Sequence, residues 1–174
     1  MHVGLNLVFL VPGEQGGLEV YANELLRALP RVRPDVRLTA FVNREAAAAG
    51  GPWEEVASAV IEVPVRARNR VEWVRGEQQL LPGLAQRAGV ELVHSLASTA
   101  PARGRFRRVV TIHDLHYRVA PEAHFGLLGL GMRVLVPLAA RRSQRVIAIL
   151  RVTNSSPRRS DSWLNRMPEH ANRS

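Results

Sequence analysis

The chain has 174 residues, 46% of them hydrophobic, and no cysteine. That length suits one domain, and the apolar fraction supports a full core rather than global disorder. Without cysteine there are no disulfides, thiolate nucleophiles or cysteine metal sites, which fits a reducing compartment. The formal net charge is +9, yet every basic residue is an arginine. The charges are scattered, match no nucleic-acid-binding motif and read as genome-wide codon bias, so nucleic acid is not an expected partner.

In chain order, Val3 to Phe9 reads as a buried strand that runs into the turn Pro12-Gly13-Glu14-Gln15-Gly16-Gly17. The apolar N-terminus lacks the basic start and the cleavage site of a signal peptide. Leu18, Tyr21, Ala22, Leu25, Leu26 and Leu29 recur at helical spacing, and Pro30 is expected to stop that helix. Val36 to Val42 and Ala59 to Val63 read as the second and third strands. A helical stretch follows from about Val71 to Ala88, with an interruption expected at Pro82 and a C-cap at Gly89. Leu92 to His94, Arg108 to Ile112 and Arg145 to Ile149 complete six strands. Phe125 to Arg142 is the last helix, apolar nearly all round but too short to span a bilayer. Part of it is expected to be exposed if a partner domain belongs against it.

This alternation predicts a single α/β domain over residues 1–149, Rossmann-like, with a doubly wound and mainly parallel sheet. Residues 150–174 lose both periodicities and are rich in Arg, Ser, Asn and Pro. They are expected to form a disordered basic tail.

Ligands of such sheets bind outside the carboxyl ends of the strands, which directs attention to two peptides. In the first, Gly13-Glu14-Gln15-Gly16-Gly17-Leu18-Glu19, glycines admit close backbone approach and the helix start offers free N–H groups. A phosphate contact and a tight turn without a ligand are both open. The second is Val109-Val110-Thr111-Ile112-His113-Asp114. There a histidine can donate to a substrate hydroxyl or transfer a proton, and spacing alone favours a structural histidine that holds its loop through backbone bonds.

Other groups give weaker signals. His113, His116 and His124 with Asp114 and Glu122 lie on a stretch containing Pro121, where no helix presents them together, so no metal is expected. His94, Ser95, Ser98 and Thr99 lack a nucleophile elbow and read as caps and turns. Arg66, Arg68, Arg70 and Arg75, and again Arg103, Arg105, Arg107 and Arg108, read as solvated charge, with an anionic acceptor or lipid headgroups as the sharper alternative.

Strand one running into Gly16-Gly17-Leu18-Glu19-Val20-Tyr21-Ala22, then Leu92-Val93-His94-Ser95, Val110-Thr111-Ile112-His113-Asp114 and Arg145-Val146-Ile147-Ala148, together resemble the N-terminal domain of family 4 glycosyltransferases. These are GT-B enzymes with two Rossmann-like domains. The resemblance covers residues 1 to about 149. It implies retaining transfer of a sugar from a nucleotide-sugar co-substrate to an acceptor, with no metal or other cofactor. It implies that Gly16 and Gly17 lie beside the donor diphosphate and that His113 is catalytic, contacting the donor sugar. Glu19 and Asp114 fall on the acceptor side. A cytoplasmic location follows, with peripheral contact at the inner face of the membrane left open.

The family continues into a C-terminal donor-binding domain that this sequence does not show, so the chain is expected to be inactive, or nearly so, alone. Back-translating the tail with GC-rich codons and reading it two bases out of frame can give a helix start of the kind the family has there. A frameshifted tail is therefore one expectation. The alternative function is a non-catalytic nucleotide- or partner-binding module.

Overall fold

The computed structural model describes residues 1–113 and 127–149. Six strands form one all-parallel sheet: β1 (His2–Leu7), β2 (Arg37–Val42), β3 (Ala59–Glu62), β4 (Leu92–Ser95), β5 (Arg107–Ile112) and β6 (Arg145–Ala148), in the order β3-β2-β1-β4-β5-β6. The helices are α1 (Gly17–Val32), α2 (Arg44–Ala49), α3 (Trp53–Val56), α4 (Arg70–Arg75), α5 (Leu81–Arg87) and α6 (Leu127–Arg142). The fold is the α/β class expected, and the order reverses direction between β1 and β4, the switch point where such sheets bind ligands.

Strand β1 is buried along its whole length, as befits the centre of a parallel sheet. Leu5 and Leu7 meet Leu26 of α1, Phe41 of β2, Trp53 of α3 and Leu81 of α5 in one core. A smaller cluster of Ala100, Val110 and Ala139 seats α6 on β5. Val136 and Ala139 of α6 are buried, whereas Val134 is 60% exposed. That helix therefore buries one face despite its apolar circumference. No helix among the described residues is long and apolar enough to cross a membrane.

Three local readings need correction. Helix α1 does not stop at Pro30 but runs on to Val32. Proline's fixed φ is itself helical, so the chain continues for two residues although the Leu26 carbonyl loses its i+4 donor. Helices α2 and α3 escaped notice because they span only six and four residues, too short to show a period. The break in the 71–88 stretch lies upstream of Pro82, as a π-helical turn over Gly76–Leu80, and Pro82 sits in the first turn of α5. Pro82 cannot donate to the Gln78 carbonyl and would crowd it. Widening the preceding turn by one residue relieves both problems.

Candidate functional site

All six strands run the same way, so the segments leaving their carboxyl ends share one rim. The segment after β1 stays buried through Val11. Asn43, fully buried after β2, holds it: its Nδ2 donates to the carbonyls of Val8 (2.9 Å) and Leu10 (2.7 Å) while its Oδ1 caps α2 at Ala46 N (2.8 Å).

The glycine loop is fixed from both flanks. The Gly13 N–H donates to the Glu19 carboxylate (2.9 Å to Oε2), and the Arg68 Nε donates to Glu14 (2.9 Å). Glu19 thus spends its charge on its own loop. Gly16 has φ 51° and ψ −125°, a conformation open essentially to glycine alone, and a Cβ built on Gly16 or Gly17 would meet nothing within 4 Å. No side chain caps α1. The Leu18 N–H is taken by the Gln15 carbonyl (3.2 Å), while the positive dipole end beside Gly16 and Gly17 suits an anion.

His113 leaves β5 on the same rim. Tyr21, one turn after Gly17, packs its ring edge-on against the His113 imidazole with centroids 4.8 Å apart. The His113 Nε2 lies 2.7 Å from the Leu96 carbonyl, which can only accept, so Nε2 carries the proton. The His113 backbone N–H donates to Ser98 Oγ (3.3 Å). The backbone bonding expected of a structural histidine is therefore present, and it occupies the ring's Nε2–H. Asp114, His116, Glu122 and His124 lie outside the described residues, as does the tail. Among the described residues no group of three or more His, Asp or Glu side chains is placed to hold a metal ion.

Beneath this pair lies a buried polar chain that the sequence did not disclose. His94 Nε2 is 2.9 Å from Thr111 Oγ1, which is 3.3 Å from the Tyr21 hydroxyl. Burial holds the His94 imidazole down to about 4. The only sequence signal for it was the His94-Ser95 step at the end of β4. Ser95, Ser98 and Thr99 are not caps as expected but long-range anchors, bonded to Asn6, the His113 backbone and Glu77, and Ser95 lies within β4.

The arginine clusters divide. Arg44, Arg66 and Arg68 line an open cavity of about 620 Å³ together with Glu45 and Glu72. Arg70 lies over the Trp73 ring at 5.6 Å. Arg108, read as solvated, is instead buried: its guanidinium donates to the carbonyls of Pro101 (2.7 Å), Phe106 (3.3 Å) and Gly104 (2.9 Å) and rests on the Phe106 ring. Its position in β5, facing the β4–β5 connection, turns it inward where its neighbours in sequence point out.

No protein-family model, curated protein or solved structure matches this chain.

Proposed function

We propose that the chain is the acceptor-side domain of a two-domain glycosyltransferase that moves a sugar from a nucleotide-sugar to an acceptor with retention at the anomeric carbon. The observation that carries this reading is the Tyr21–His113 contact at 4.8 Å. Tyr21 stands one helical turn, about 5.4 Å of rise, beyond Gly17. The uncapped start of α1 and the His113 ring are therefore within reach of one ligand carrying a diphosphate next to a sugar. In this reading the N–H groups at Gly16 and Gly17 take the diphosphate charge. His113 orients the donor sugar and stabilises positive charge developing at its anomeric carbon. The nucleotide itself is gripped by a second domain, so the chain alone binds donors weakly and turns them over little. A cytoplasmic setting, at the inner membrane face if the acceptor is a lipid, belongs to the same proposal.

The test is a titration of the isotope-labelled chain with a nucleotide-sugar and, separately, with the plain nucleoside diphosphate. Both should move the Gly16 and Gly17 amides, and only the sugar-bearing ligand should move the His113 ring. Equal responses to both ligands would favour the alternative, a nucleotide-binding module without transfer chemistry. Responses confined to the far edge of the sheet would remove both readings.

A further inference from the structure

The π-helical turn carries a carboxylate that the proposed chemistry does not use. Glu77 is 1% exposed, and among the described residues no cation faces it. Its Oε1 accepts from Asn6 Nδ2 (2.8 Å) and Thr99 Oγ1 (3.0 Å), and its Oε2 accepts from Gln78 Nε2 (3.2 Å). Neither amide is free to turn over. Asn6 Oδ1 accepts from the Val8 N–H (3.2 Å), and Gln78 Oε1 accepts from the Ala102 N–H (3.0 Å). Both NH₂ groups therefore aim at Glu77, whose two oxygens only accept. Burial pushes its carboxyl up, and the bonds from Thr99, Asn6 and Gln78 pull the other way. A buried charge is costly unless it is paired or hydrogen-bonded, and here hydrogen bonds alone hold it among the described residues.

Its bonds lead to the loop after β4. Thr99 is held by Glu77, and the Ala100 carbonyl accepts from Gln78 Nε2 (3.0 Å). Three residues before Thr99, the same loop supplies the Leu96 carbonyl to the His113 ring, and between them Ser98 supplies its Oγ to the His113 backbone. Ser98 has φ 63°, a left-handed conformation that is unfavourable for a serine and persists only where its surroundings hold it. On its far side the loop is gripped by the Arg108 guanidinium through Pro101 and Gly104.

We propose that Glu77 is a positioning residue: its carboxylate clamps Thr99, holds Ser98 in its left-handed conformation and so fixes the tautomer and orientation of the His113 ring. The clamp stands on its own geometry. Its consequence for turnover rests on the sugar-transfer reading above.

Side-chain ¹⁵N NMR of the histidines in the full chain tests it. In the wild type His113 should show a fixed Nε2–H tautomer. Glu77→Gln places an N–H where every neighbour already donates, and Thr99→Val removes the loop's end of the clamp without touching the turn. Both should keep the native pattern of sheet amides while the two His113 ring nitrogens shift toward each other, as a ring that samples both tautomers does. Thr99→Ser, which keeps the hydroxyl, should match the wild type. A folded Glu77→Gln or Thr99→Val chain with an unchanged His113 signature overturns the proposal. If Glu77→Gln fails to fold, Thr99→Val decides. If neither folds, the carboxylate is a requirement of the core and the proposal also falls. In the intact enzyme, a loosened ring should lower kcat by up to about 10²-fold with little change in KM. A released His113 without that loss would count against its role in transfer and leave the clamp standing.

Discussion

Acidification should weaken this fold chiefly through His94. Its imidazole sits on β4, packed from all sides, with Thr111 as its polar partner. Burial lowers it from 6.5 to about 4. A group whose folded value is depressed contributes stability that is present above its unfolded value, here pH 6.5, and is lost as pH falls through the folded value near 4. At about 1.4 kcal/mol per unit, the full contribution is about 3 kcal/mol, of which about 2 kcal/mol should vanish between pH 7 and pH 5. His2 is lowered too, by burial and then by Arg37, and acts in the same direction. Glu77 is raised by burial, so its protonation on acidification acts in the opposite direction.

A comparison within one residue separates these contributions. Urea unfolding of the wild type and of His94→Gln, whose amide can still reach Thr111, is measured at both pH values. The wild type should lose about 2 kcal/mol more than the variant over that interval. Parallel losses in the two proteins would refute the reasoning, since they would show that His94 does not resist its own protonation in the folded state.

Other perturbations have equally definite outcomes. Gly16→Ala forces a Cβ into the φ 51°, ψ −125° conformation and should cost about 1–3 kcal/mol in urea unfolding; on the proposed function it should also weaken nucleoside diphosphate binding. Gly76→Ala would bring a Cβ within 2.6 Å of Val65 Cγ2, and a loss of about 1–3 kcal/mol is expected from overpacking. Arg108→Met keeps the stem but strips three buried or half-buried carbonyls of their donor, so the chain should lose about 2–4 kcal/mol, read as a lowered thermal midpoint. His113→Ala strips the buried Leu96 carbonyl of its donor and should cost about 1–3 kcal/mol, yet it should cut turnover in the intact enzyme more than this loss explains; unchanged turnover would remove His113 from the site.

How much of this could be read without coordinates varies by residue. The six strands and the long helices were legible because their apolar residues repeat with the period of the element that buries them, from Leu5 and Leu7 in β1 to Ala22 and Leu26 in α1. The two rim peptides were legible because the alternation of strands and helices implies a parallel sheet, and a parallel sheet puts every strand's carboxyl end on one edge. The inward turn of Arg108 had no signal at all, because an arginine satisfied by three carbonyls looks in sequence like its solvated neighbours Arg105 and Arg107.

The amino-acid order therefore determined the class of fold and the rim on which Gly16, Gly17 and His113 sit, since periodicity and turn chemistry are local and survive in a string of letters. Only the tertiary structure decided which side chains meet there. Tyr21 with His113, His94 with Thr111, and Glu77 with Asn6 and Thr99 are pairs 17 to 92 residues apart or bridges between such distant segments. Their partnership depends on strand order and on one widened helical turn, neither of which leaves a periodic trace.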